Sequence, residues 1–340
     1  MDDTEPRAGS ARGRLFLPAG EWREGRRQRQ RARKERDALA EPSHRPLGSP
    51  FLQPGVLLGV TVVAFSSSAI LIRLATAGAF VIAFWRLLLP ALPAGAIVAK
   101  RRLAWPLGRR QWLLAALSGA CLAVHFGTWI PALRLTTVAQ AVILVQMYPV
   151  PVLVVERLQG IRHPWWAVAG VAVAIVGVAL IALSQAGGQQ HLLGDGLALL
   201  AALAGAAYFL IGRHLRQEME VLPYTTVVYG LAALLLLVGA LAAGQPVFDL
   251  GLRNWLLVLA LAAVPTTLGH TLSNYLLRWL RASTLAVMGL LEAVGASLIA
   301  IPVFGQTPGW MVAVGGVLAL GGAALFLATA PRSPALPPVS

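Results

Sequence analysis

The sequence predicts an all-α polytopic membrane protein: ten transmembrane helices built as two inverted five-helix repeats. Three observations carry that prediction: the composition, the spacing of apolar runs, and a self-match at a fixed offset. Of 340 residues, 57% are hydrophobic and only 12% are charged. Mean hydropathy is +0.70. A soluble chain carries about 25% charged residues. The composition therefore excludes disorder, collagen-like structure and an ordinary soluble enzyme.

From residue 54 onward, apolar runs alternate with short breaks. A spanning helix needs about 20 apolar residues. Runs of that kind cover 54–72, 79–99, 111–131, 136–155, 164–184, 194–212, 222–244, 254–275, 283–303 and 309–329. Turn and stop signals separate them: Gly78, Lys100-Arg101-Arg102, Arg109-Arg110, Gly160, Gly187-Gly188, Pro223, Gly244 and Pro308.

The formal net charge of +14 invites a nucleic-acid reading, but its distribution argues for a bilayer. With the N-terminus inside, the inner loops and C-terminal tail carry Lys100, Arg101, Arg102, Arg109, Arg110, Arg157, Arg162, Arg213, Arg216, Arg278, Arg281 and Arg332. The outer loops carry only Arg73, Arg134 and Arg253. That bias places both termini in the cytoplasm. Residues 1–52 read as a basic, disordered cytoplasmic tail outside the membrane portion, and 331–340 as a short C-terminal tail.

Shifting the chain by 144 residues lays Pro164, Trp166, Val168, Ala169, Val173, Gly177 and Ala179 on identical residues from Pro308 to Ala323. It also lays Leu133-Arg134 on Leu277-Arg278 and Phe65 on Phe209. The offset divides the chain into a first repeat, 53–185, and a second, 194–330. Five crossings are odd, so the second copy enters the membrane upside down. Inverted repeats of this kind build alternating-access carriers with cargo near the midplane.

The residues now resemble a family. Ala83-Phe-Trp-Arg86 in the second run and Tyr148-Pro149-Val150 in the fourth are similar to the drug/metabolite transporter superfamily, EamA-like branch. Asn274-Tyr275-Leu276-Leu277-Arg278, Ser283-Thr284 and Leu290-Leu291-Glu292-Ala293-Val294 agree in the second copy. Ala293 stands where the family commonly has proline, which removes one reason for a kink in the ninth helix. The family often shows Leu-Gly-Glu near the end of each fourth helix. Here Phe304-Gly305-Gln306 has Gln, and Leu158-Gln159-Gly160 has no acid. The resemblance implies secondary transport of small metabolites, often amino-acid export.

Polar residues inside apolar runs are the candidate translocation residues, because burying charge in a bilayer costs about 2.5–3.5 kcal/mol on insertion scales. Glu292, near the middle of the ninth run, suits a cargo ammonium or a coupling proton; the alternative is a structural carboxyl. Arg86 suits a cargo carboxylate, a structural role, or a gate pair with Glu292. His125 suits a proton or cargo contact, or a bond between helices. His270 and Asn274 lie at i and i+4 beyond Pro265, which suggests a cavity lining. Gln146 and Tyr148 are midplane candidates, and the offset lays Tyr148 on Glu292. Trp85 and Trp129 are candidate aromatic walls.

No catalytic, metal or cofactor site is expected: Cys121 is the one cysteine, and no CxxC or GxxxxGK[ST] is present. The expected partners are small-molecule cargo, the lipid bilayer and a coupling proton, without nucleic acid. Gly55-x-x-x-Gly59 and the glycines from Gly315 to Gly322 fit either a homodimer face or internal packing. His163 and His214 fall in loops with no expected partner. Composition rich in Arg and Ala, with two Lys, points to a GC-rich bacterial genome and its inner membrane. The function expected is export of small polar metabolites. A membrane sensor or assembly partner with a transporter-like core is the alternative, and a membrane enzyme is disfavoured by the lack of paired acids.

Overall fold

The computed structural model describes residues 54–105, 108–136, 141, 144–184, 192–304 and 309–330. The tails 1–52 and 331–340, Gln140 and Gly305-Gln306 lie outside them. The described residues form helices and short connections, with no strand among them.

In chain order the helices are α1 (Pro54–Leu74, broken at Ser67), α2 (Ala79–Arg101), α3 (Arg109–Leu135) and α4 (Pro149–Leu158). Then come α5 (Trp165–Leu183), α6 (Leu192–Leu215), α7 (Val221–Ala242) and α8 (Gly251–Leu276). The pieces Ala282–Gly289 and Leu291–Phe304 form α9, and Trp310–Thr329 is α10. Eight of these are long and apolar enough to cross a membrane: α1–α3 and α6–α10. The fifth expected run is the shorter apolar helix α5. The fourth lies partly outside the described residues, and its second half is α4.

Antiparallel hairpins bring the basic loops to one end. Gln111 bonds Glu218 at 2.7 Å, and Arg213 donates to the carbonyls of Leu277 and Arg278 at 2.6 and 2.7 Å. Arg216 donates to Asn274 O at 2.9 Å and also bonds Met219 O. These guanidinium groups satisfy carbonyls that a helix C-terminus leaves open, where positive charge is favoured. The opposite end has its own ties. Asn254 Oδ1 accepts from Thr76 N at 2.9 Å, Arg134 donates to Ala77 O at 2.7 Å, and Thr136 donates to Asp195 at 2.8 Å.

Helices at matching positions of the two copies pack on each other: α2 on α7, α4 on α9, α5 on α10. The pair α3–α6 has its counterpart in α8–α1. Glycine permits the closest approach. A Cβ on Gly170 would lie 2.7 Å from Gly322 O, and one on Gly177 would lie 2.5 Å from Gly315 O. Rising residue numbers on α5 meet falling numbers on α10, so the two helices run antiparallel. Gly315 and Gly322 are thus spent on packing inside the chain, while Gly55 and Gly59 meet nothing within 4 Å. The outward faces keep Val63, Leu113, Leu203, Leu234, Val238 and Val317 exposed, an apolar belt suited to lipid.

Candidate functional site

Local chemistry interrupts four helices around the centre of the bundle. In α1, the Ser66 hydroxyl bonds Val62 O at 2.8 Å and the Ser67 hydroxyl bonds Ala64 O at 2.7 Å. Such back-bonding competes with the helix ladder, and α1 breaks at Ser67. In α8, Pro265 has no N–H for Leu261 O. The Thr266 hydroxyl takes that carbonyl instead at 2.8 Å, and Thr267 does the same for Ala262 O. Residues Ala262–Thr271 are consequently wound as a π-helix, a form concentrated at functional sites.

The other two breaks match. The chain turns through Gln146, Met147 and Tyr148 before α4, and α9 turns at Leu290. The 144-residue offset lays Gln146 on Leu290. Helix 9 therefore breaks without the proline that Ala293 replaces. Gln146 Nε2 donates to Gly289 O at 2.9 Å, joining one break to the other. The Tyr148 hydroxyl lies over Gly289, where any Cβ would overlap it.

Arg86 is 1% exposed. Its Nε donates to Thr266 Oγ1 at 3.2 Å, its Nη1 to Ser68 Oγ at 3.5 Å, and its guanidinium stacks 4.2 Å from the Phe126 ring centroid. The breaks in α1 and α8 thus supply the oxygens that hold this cation. Glu292 begins the second half of α9 and is half-buried. Its charge interacts with Arg86 and faces Tyr148. Among the described residues no direct hydrogen bond or ion pair joins Arg86 to Glu292.

His270 is edge-on to Phe65 at 4.7 Å and Phe126 at 5.2 Å. Among the described residues its Nδ1 is buried without a partner, as are Asn274 Oδ1 and Ser273 Oγ. Asn274 Nδ2 donates to Tyr208 Oη at 2.5 Å and to Tyr229 Oη at 3.1 Å. Buried polar atoms without partners are uncommon. Here they lie on α8, His270 in the π-wound stretch whose Thr266 holds Arg86, and Ser273 and Asn274 in the α-helical turn just after it.

The structure therefore gathers Arg86, Glu292, Tyr148, Gln146, His270 and Asn274. His125 adjoins them through Phe126 at 4.9 Å, but its Nδ1 contacts Ala201 O at 2.8 Å across α3 and α6, so it serves as an interhelical tie. Trp85 is not in the group. Its Nε1 donates to Val247 O at 2.7 Å among Phe248 and Trp255, fastening the opposite end. Trp129 is buried near that end of α3.

One expectation needs correction at the basic end. His163 has a partner: its Nε2 lies 2.7 Å from Glu156 Oε2. The loop after α4 folds back, so residues seven apart meet. The end of α4 also holds an acid. Glu156 lies in its last turn and is 3% exposed. Its Oε1 accepts from Ser283 N at 3.1 Å, at the start of α9. Burial by itself would raise this carboxyl, but hydrogen bonds from His163 and Ser283 outweigh burial and hold it below the usual carboxylate range. A glutamate just past an apolar run was the available signal; its partners, far apart in sequence, gave none.

Comparisons with known proteins agree with this architecture. Two relatives from Archaeoglobus fulgidus are each named an uncharacterized transporter. One is 27% identical over 81% of this chain and 96% of its own length. The other is 25% identical over 57% of this chain and 69% of its own length. The crystal structure of a protein superposes with a TM-score of 0.69 at 18% identity, covering 81% of this chain and 98% of that one. It supports the fold alone. The model of the EamA-like transporter family matches twice, over residues 53–183 and 192–328. Duplicated in this way, the chain belongs to the EamA-like transporter family and is a transporter, not an enzyme.

Proposed function

We propose that the protein is a secondary carrier that exports small polar metabolites, amino acids or related compounds, by alternating access. The observation that carries this reading is the pair of matched breaks before α4 and within α9, bridged by Gln146 and Gly289. Discontinuous helices at corresponding positions of two copies are where carriers place cargo. The antiparallel contact of α5 with α10 supports two inverted five-helix repeats spanning ten times. The loops gathered at the basic end support cytoplasmic termini, and composition favours a bacterial inner membrane.

In this reading Arg86 presents positive charge to cargo, and Glu292 receives either a cargo cation or the coupling proton. His270 Nδ1 and Asn274 Oδ1 offer the free acceptor or donor positions. Tyr148 and Gln146 seal the site between the copies. Export rather than uptake rests on the resemblance to the family. The test is flux of radiolabelled amino acids, amines, nucleosides and sugars in proteoliposomes under an imposed proton gradient. Saturable flux of one class that is lost in Glu292→Gln supports the proposal. Flux of no class by well-folded protein, or full gradient-driven flux in that variant, counts against it.

A further inference from the structure

The Glu156 cluster joins the two copies at the basic end, far from the midplane residues. Helix α4 closes the first copy's fourth run, and α9 opens the second copy's. The two are bridged at Gln146–Gly289 and again at Glu156–Ser283. Along α9 the bridges stand six residues apart, Ser283 to Gly289, about 9 Å of rise. Between them Val152, Leu285 and Ala286 are buried. An apolar seam thus closes this half of the interface, and a carboxylate fastens its outer edge.

The chemistry of the fastening is specific. The first N–H groups of a helix have no intrahelical acceptor. Glu156 supplies one to Ser283 and brings negative charge to the positive end of α9. Its second oxygen is held by His163, whose ring stacks on Phe326 of α10 at 5.9 Å. Arg213 on α6 also faces Glu156, and Arg281, the residue just before α9, faces Arg213. One buried acid therefore touches or faces α6, α9 and the α4–α5 loop, and through His163 reaches α10. The second copy has no equivalent charge: residues 300–308 hold no acid, and the offset lays Glu156 on Ala300.

We propose that Glu156 and His163 form a one-sided latch that keeps the basic-end mouth shut, so that the latched carrier presents its site to the opposite side. Opening to the basic side strips the Glu156 carboxylate from the Ser283 N–H. Because the second copy has no acid at the corresponding position, the opposite end is tied by different groups, Arg134 to Ala77 O and Thr136 to Asp195, and the Glu156 latch biases the resting state. This inference rests on the alternating-access reading above.

The experiment places a reporter thiol at Met288, half-buried on the closed part of α9, in a Cys121→Ser background. A charged, membrane-impermeant maleimide is applied from either side of oriented proteoliposomes. With the latch intact, labelling is slow from the basic side and faster from the opposite side. Glu156→Gln is expected to raise the basic-side rate about tenfold, the scale of one charge-assisted hydrogen bond, and to slow the other. His163→Ala, which leaves the carboxylate in place, is expected to shift both rates the same way and carries the test if Glu156→Gln does not fold. Basic-side rates unchanged in the folded variants overturn the latch while leaving alternating access intact. A basic-side rate that rises while the opposite rate stays fixed keeps the latch as a seal and overturns reciprocal access.

Discussion

Gln146 donates a 2.9 Å hydrogen bond to the carbonyl of Gly289, tying the break before α4 to the break in α9. The Tyr148 hydroxyl covers the same glycine. Gly289→Ala therefore drives a methyl into the phenol. Overpacking of this kind costs about 1–3 kcal/mol, and a lower melting temperature in detergent is the expected result. Tyr148→Phe removes the overlapping oxygen but not the ring, so the double variant should recover part of the loss. A Gly289→Ala protein as stable as the parent would show that the two helices are not packed as described.

Arg86 is held by oxygens that exist because α1 and α8 are irregular. Thr266→Val keeps the volume and removes the acceptor of Nε. It also leaves Leu261 O without the hydroxyl that replaces the missing Pro265 N–H. Unmatched buried groups cost about 1–3 kcal/mol each. Thr266→Ser, which keeps the hydroxyl, should be milder. Thermal unfolding of the two variants side by side checks this; equal losses would show that the hydroxyl contributes no more than the methyl.

How much of this was legible in the sequence follows from the range of each interaction. The apolar runs and the basic loops are local properties, and the eight helices long enough to cross a membrane fall where those properties place them. Arg86, Glu292, His270 and Asn274 stand out because charged and polar groups are costly among apolar neighbours. The 144-residue offset exposes the duplication, and it even aligns Gln146 with Leu290. The breaks themselves were less visible. Ala293 argued against a kink, yet α9 turns at Leu290, one residue beyond a glycine pressed by Tyr148. The long π segment depends on Thr266 and Thr267 acting with Pro265, a pattern that also reads as an ordinary helix. The Glu156–Ser283 bond spans 127 residues, and no local pattern encodes it.

Glu156 also predicts a pH dependence. Its carboxyl is held below the usual range in the folded protein. It therefore stabilises the fold above the unfolded glutamate value of about 4.3. That contribution is lost as pH falls through the lower folded value. The melting temperature of the parent should drop more steeply on acidification in this window than that of Glu156→Gln. Parallel curves would mean that the carboxylate contributes no net stability.

The last prediction concerns α5 and α10, the second of which carries the glycines from Gly315 to Gly322 that were open to two readings, a dimer face or internal packing. Gly170 and Gly177 face backbone atoms of α10 at 2.5–2.8 Å from an added Cβ. Backbone cannot move aside as a flexible side chain can. Gly177→Val should therefore separate the two helices and lower stability by more than about 1–3 kcal/mol, the usual cost of added core volume. Gly321 lies on the same α10 but meets nothing within 4 Å. Gly321→Ala should be tolerated and slightly stabilising, since alanine exceeds glycine in helix propensity by about 1 kcal/mol. If the glycines instead served a dimer, Gly321→Ala would alter the oligomer seen by light scattering in detergent, and Gly177→Val would dissociate it without unfolding the monomer. Loss of the folded monomer in Gly177→Val, with Gly321→Ala unchanged in mass, is the outcome the packing dictates.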